Sequence, residues 1–124
     1  MHAVTSTTAY LDDVFAAVDS NDAEQFVAYL TEDCVFRFGS APAVTGRAAI
    51  GQAVSGFFES IAGCSHSVRS VWRDEGSLVC EGDVRYQRLD GSEITIPFVD
   101  VFEFQGDLIA QYKIYIDIGP LYAQ

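Results

Sequence analysis

The chain has 124 residues, 49% of them hydrophobic, with nine Phe and six Tyr, which suits one domain with an aromatic core and excludes a disordered segment. Seven basic against eighteen acidic residues give a net charge of −11, and seven acidic side chains precede the first basic one, Arg37. Such a surface repels phosphate backbones and anionic membranes, so neither nucleic acid nor membrane is an expected partner.

Three cysteines, Cys34, Cys64 and Cys80, contain no CxxC spacing, which argues against a disulfide framework or a zinc site. No phosphate loop or nucleotide fingerprint is present, so no cofactor and no metal are expected. No apolar run approaches about 18 residues and no signal-peptide pattern opens the chain, so the expected location is cytoplasmic.

In chain order, residues 1–6, including His2, read as a loose terminus. Tyr10, Leu11, Val14, Phe15 and Val18 follow helical spacing over Thr8 to Val18. "DSND" breaks that helix, and Asn21 is the expected cap of a second one, with Glu24 three residues on. A short strand is expected over Cys34–Phe38, and "GSAPAVTG" reads as a loop. Thr45 is the expected cap of a third helix, roughly residues 46–62, with Ile50, Val54, Phe57, Phe58 and Ile61 as its apolar stripe.

The period then changes from 3.6 to two. Strands are expected over residues 65–74, 77–89, 92–104 and 108–118, separated by "DEGS", "LDGS" and "QGD" turns that imply an antiparallel meander. The fold class is therefore α+β: three N-terminal helices packed into the concave face of a curved, mainly antiparallel sheet, in one domain with its core at about residues 8–122. The helices can leave a cone-shaped cavity inside that sheet.

Five stretches carry a family resemblance: "AAVDSNDAEQFVAYLTEDCVF", "TGRAAI", "RLDG", "PFVDVFEF" and "YKIYIDIGPL". In this order they resemble the nuclear-transport-factor-two-like superfamily with its cone-shaped, cystatin-like α+β barrel, and within it the SnoaL-like and ketosteroid-isomerase-like proteins. The superfamily hosts isomerases, cyclases, dehydratases, hydrolases and non-catalytic members, so the resemblance implies fold before reaction. Ketosteroid isomerases pair an Asp base with an oxyanion hole of Tyr and a protonated Asp. Asp100 matches that protonated Asp, whereas the tyrosine position falls on Val14 and the base on Phe38. For the Asp–Arg–Asp set of limonene-epoxide-hydrolase-like enzymes, the last-strand Asp falls on Ile114 and the Arg on Glu81, with Asp83 near the other Asp. Both sets are incomplete. A SnoaL-like cyclase needs only one well-placed acid/base, which this chain can supply.

The candidate residues follow from strand faces. Asp100 shares a face with Phe98 and Phe102, where burial raises a carboxyl pKa toward neutrality and suits it to acid/base work. His66 shares a face with Trp72, and a dyad of His66 with Asp100 forms a proton shuttle. These two are the expected catalytic groups. Tyr86 and Tyr112 are expected to orient a substrate oxygen, with Trp72, Phe36, Phe38, Phe98 and Phe102 as apolar walls. Glu81, Asp83, Arg85 and Gln87 are expected on a solvated or dimer-facing side of their strand, whereas the epoxide-hydrolase comparison, with a bulge at Gly82 switching the phase, turns Asp83 inward. Arg37, Arg88, Tyr115 and Asp117 are expected at the rim or behind the pocket.

The sequence thus predicts a cofactor-independent acid/base enzyme, of isomerase, cyclase, dehydratase or hydratase type, acting on a small apolar oxygenated ligand. The alternative is a non-catalytic ligand-binding or dimerisation domain of the same fold. The enzyme reading requires an open pocket with Asp100 on its wall and a free carboxyl oxygen; the alternative requires a filled cone. A homodimer through the sheet is the expected assembly.

Overall fold

The computed structural model describes residues 3–123, with side chains from Tyr10 onward; His2 lies outside the described residues. Its elements are α1 (Ala3–Asp19), α2 (Ala23–Val27), β1 (Leu30–Phe38), β2 (Val44–Thr45), α3 (Arg47–Glu59), β3 (Gly63–Asp74), β4 (Ser77–Gln87), β5 (Glu93–Gln105), β6 (Leu108–Ile116) and α4 (Gly119–Tyr122). The six strands form one open, mostly antiparallel sheet in the order β2-β1-β6-β5-β4-β3. The exception is the parallel pairing of β1 with β6, which the chain reaches by placing α3 and four strands between them. The curved sheet is unclosed, so it is a half-wrapped cone rather than a barrel.

The helices dock through the faces their periodicity predicts. Leu11, Val14 and Phe15 of α1, Phe26 of α2, and Ile50, Val54 and Phe58 of α3 are all buried against the inner face of the sheet. Burying each such side chain contributes about 1.5–3 kcal/mol.

Helix ends differ from expectation. α1 already runs from Ala3, so residues 3–6 are helical rather than loose. Asn21 sits in the turn at φ 59°, and the cap of α2 is Asp22, whose carboxylate accepts from the Gln25 amide at 3.1 Å. Thr45 is taken up by β2, and α3 is capped by Gly46 at φ 96°, a conformation glycine tolerates and threonine resists. The stretch read wholly as a loop thus contains a short edge strand.

The register fixes the two faces. Cys64↔Tyr86↔Ile94 and His66↔Val84↔Ile96 are inner rows of β3, β4 and β5. Between Val68 and Ser70 the β3–β4 register slips by one, with Arg69 as the extra residue. Past that bulge β3 exchanges its faces. The bulge lies opposite Gly82, where an added Cβ would stand 1.9 Å from the Ser67 carbonyl oxygen. Only glycine admits so close a backbone approach.

The bulge corrects the placement of Trp72. Before it, even-numbered residues of β3 face inward; after it, Trp72 pairs with Val79 on the outer face and is 54% exposed. The β4 side chains Glu81, Asp83, Arg85 and Gln87 do lie on the outer face, where Asp83 pairs with Arg69.

Candidate functional site

Between α3 and the inner face of the sheet lies a cavity of about 240 Å³. This is slightly below the ~300–1,000 Å³ typical of ligand sites and suits a small molecule. Phe36 and Phe38 of β1, Phe57 and Phe58 of α3, Phe98 of β5 and Ile114 and Ile116 of β6 form its walls, with Ala41 and Pro42 of the β1–β2 loop contributing. The polar side chains reaching it are Asp100, Tyr112, Tyr86, His66 and Cys64.

Asp100 lies in the inner row Cys80↔Asp100↔Ile114, and it is 1% exposed. The Tyr112 hydroxyl, on the neighbouring strand, donates to its Oδ2 at 3.0 Å. Its Oδ1 is buried and has no hydrogen-bond partner among the described residues. Burial pushes the Asp100 carboxyl up to about 8, against the opposing pull of the Tyr112 hydrogen bond. At neutral pH Asp100 is therefore mostly a carboxylic acid, able to donate from an oxygen the protein leaves unused.

His66 meets a different partner from the one expected. Its Nδ1 lies 2.6 Å from Asp19 Oδ1, and its backbone N–H donates to Asp19 Oδ2 at 3.0 Å. No His66–Asp100 hydrogen bond forms among the described residues, so the proposed dyad is replaced by Asp19–His66. Asp19 is the last residue of α1, and α1 packs against β3. The His66 ring stacks on Phe15 at 4.6 Å and meets Phe98 edge-on at 5.3 Å, which fixes its plane. With Nδ1–H donating to Asp19, the lone pair resides on Nε2.

Tyr86 lines the cavity as well. Burial, reinforced by Cys64 and Asp100 nearby, holds its phenol far above the usual tyrosine range, so it is a neutral donor. The Tyr112 hydroxyl is committed to Asp100 rather than turned to a ligand. Phe102 is fully buried behind Tyr112, at 4.4 Å between rings, and packs the core instead of lining the cavity.

The four rim candidates do not line the cavity. Arg37 donates from Nε to the Ala41 carbonyl at 3.2 Å and so braces the loop at the cavity's edge. Arg88 donates to the carbonyls of Leu121 and Pro120 at 2.8 and 2.9 Å, tying down α4. Tyr115 is 58% exposed on the outer face, and the Asp117 carboxylate accepts from the Gly119 amide at 3.1 Å.

Asp19 is the functional candidate that sequence reasoning missed. It lies 47 residues before His66, but one signal was present: a carboxylate closes α1, whose last turn has no basic residue. The negative end of the helix dipole disfavours an acid there.

No curated protein sequence matches the chain. Among solved structures, it is similar to an NTF2-like protein from Anabaena variabilis ATCC 29413 (20% identity, 92% of this chain and 88% of that one, TM-score 0.80). It is also similar to a putative SnoaL-like polyketide cyclase from Jannaschia sp. CCS1 (15% identity, 92% and 89% covered, TM-score 0.74). A third similar structure is TerC co-crystallized with polyporic acid (15% identity, 90% and 92% covered, TM-score 0.78). At these identities the likeness is one of fold. The SnoaL-like domain model matches residues 11–112, from the core face of α1 to the tyrosine that holds Asp100; with most of its length so matched, the chain belongs to the SnoaL-like domain family.

Proposed function

We propose that this chain is a cofactor-independent acid/base enzyme that moves a proton next to a carbonyl of a small, largely apolar, oxygenated molecule. The observation that carries the reading is that His66, held from behind by Asp19, and Asp100, held by Tyr112, line one cavity. His66 Nε2 removes a proton from the carbon beside the carbonyl. Asp19 holds the imidazole in that tautomer and balances the charge it gains. The carbonyl oxygen, as it gains negative charge, accepts hydrogen bonds from the neutral Asp100 carboxyl and the Tyr86 hydroxyl. Return of the proton to another atom gives isomerisation, loss of a β-hydroxyl as water gives dehydration, and attack of the carbanion on a second carbonyl carbon of the same molecule, whose oxygen takes the proton, gives ring closure. Aromatic walls keep water from the intermediate.

The open cavity and the unpartnered Asp100 Oδ1 support catalysis over a filled, purely structural cone. The polyporic acid in TerC, a protein of similar fold, supports an oxygenated ligand. A cytoplasmic location is part of the proposal, supported by three unpaired thiols; no helix among the described residues is long and apolar enough to cross a membrane.

The test is a thermal-shift screen of polyketide, terpenoid and steroid ketones, followed by turnover assays on each hit. His66→Asn is expected to lower kcat about 10²–10⁴-fold, and Asp100→Ala about 10²–10³-fold, while both still bind. Asp100→Asn, which keeps a donor, is expected to lose far less than Asp100→Ala. Hits that bind and are never turned over would leave a ligand-binding domain in place of the enzyme.

A further inference from the structure

Asp19, Cys64 and His66 form the one group of three metal-ligating side chains among the described residues. Their donor atoms, Asp19 Oδ1, Cys64 Sγ and His66 Nδ1, lie within 4.8 Å of one another. Cys64 and His66 stand two apart on β3 and so share its inner face, while α1 brings Asp19 over both. The carboxylate is already oriented: its Oδ2 accepts from the His66 backbone amide at 3.0 Å, leaving Oδ1 between the thiol at 3.6 Å and the imidazole at 2.6 Å. A hydrogen bond behind a ligating carboxylate is the arrangement that fixes metal ligands.

We propose that these three side chains form a site for a thiophilic divalent cation such as Zn²⁺, with one coordination position left open. Bond lengths of about 2.3 Å to sulfur and about 2.0–2.1 Å to nitrogen and oxygen put the edges of a tetrahedral site at about 3.6 Å for S–O and about 3.3 Å for N–O. The observed S–O distance already meets the first. The imidazole needs to withdraw by about 0.7 Å to meet the second, a small rotation for a side chain flanked by rings rather than by backbone. His66 and Asp19 also line a groove between α1 and β3 through which an ion can enter. Mixed N, O and S donors select zinc or cobalt over magnesium or calcium.

Binding expels the Cys64 thiol proton to solvent and moves the imidazole proton from Nδ1 to Nε2. The ion therefore removes the lone pair the proposed reaction uses, and the site acts as a reversible off-switch. The site itself stands on the three side chains and does not depend on the acid/base reading.

Co²⁺ titration of the intact protein under reducing conditions tests this. The expected result is a 1:1 thiolate-to-cobalt charge-transfer band with tetrahedral visible bands, bleached by Zn²⁺ and untouched by Mg²⁺. Cys64→Ser is expected to abolish the charge-transfer band, and Asp19→Asn to weaken Co²⁺ binding about tenfold or more. Cys34→Ser and Cys80→Ser are expected to keep the band. No band in the unmodified protein at saturating Co²⁺, or a band that survives Cys64→Ser, overturns the site. Because the band needs no substrate, its absence with intact turnover removes the metal site alone, and its presence without turnover removes only the acid/base reading.

Discussion

Replacing Asp100 with Asn removes one titration and little else. The two side chains have nearly the same shape, and the Tyr112 hydroxyl can donate to the amide oxygen as it does to Oδ2. In the folded protein Asp100 keeps its proton up to about pH 8, whereas the ordinary aspartate value, 3.8, applies once the chain unfolds. Between those limits the folded state binds more protons than the unfolded state. Stability therefore falls as pH rises through the window from about 4 to about 8 and levels off above it. At about 1.4 kcal/mol for each pH unit of that window, the loss is roughly 6 kcal/mol, a large fraction of the ~5–15 kcal/mol by which domains are stable. Urea unfolding at pH 5, 6, 7 and 8, run in parallel on both proteins, isolates the effect, because every shared titration cancels in the difference. The variant is expected to gain on the native protein by about 1.4 kcal/mol per pH unit between pH 5 and 7, at constant m-value. A difference that stays flat with pH would show that Asp100 is ionised in the folded protein, and the neutral-donor role would go with it.

Three further outcomes are expected. Turnover of any substrate found by screening should decline as pH rises through about 8, when Asp100 loses its proton; an alkaline limb unchanged by Asp100→Asn contradicts that. Gly82→Ala forces a Cβ to within 1.9 Å of the Ser67 carbonyl oxygen and is expected to cost about 3 kcal/mol, read as a fall in urea midpoint; a loss below about 0.5 kcal/mol would mean the bulge relaxes freely. We infer a homodimer through the outer sheet face, where Trp72 and Tyr115 are 54% and 58% exposed on adjacent rows; sedimentation should give a dimer that Trp72→Glu converts to monomer, and a native monomer ends that inference.

What could be read from the sequence was what depends on local period. Tyr112, Ile114 and Ile116 face inward as their alternation implies, and Asp100 is buried between Phe98 and Phe102 as its strand implies. Trp72 could not be placed, because a single extra residue at Arg69 inverts every face beyond it, and the residue that permits the bulge, Gly82, is on another strand. Phe102 and Phe98 carry the same pattern, yet only Phe98 reaches the cavity; how deep the helices sit over a strand is a packing outcome that alternation does not encode. The His66 partner was misassigned for a related reason. Both candidate carboxylates are distant in sequence, and only the docking of α1 on β3 selects Asp19.

The two aspartates meet very different surroundings. Asp19 is 26% exposed at a helix end and meets a basic ring at 2.6 Å, so its oxygens are satisfied by an imidazole and a backbone amide. Asp100 is 1% exposed, meets a single neutral hydroxyl, and has one oxygen unpartnered among the described residues. The first environment favours accepting protons through histidine, and the second favours keeping one. Burial alone, acting on Asp100, raises its carboxyl and suits it to the acid role. The incomplete isomerase and epoxide-hydrolase sets are then no argument against catalysis. In the proposed reaction the base is on β3 rather than on β1, where the ketosteroid-isomerase match falls on Phe38, and the carboxylate that orients it closes α1.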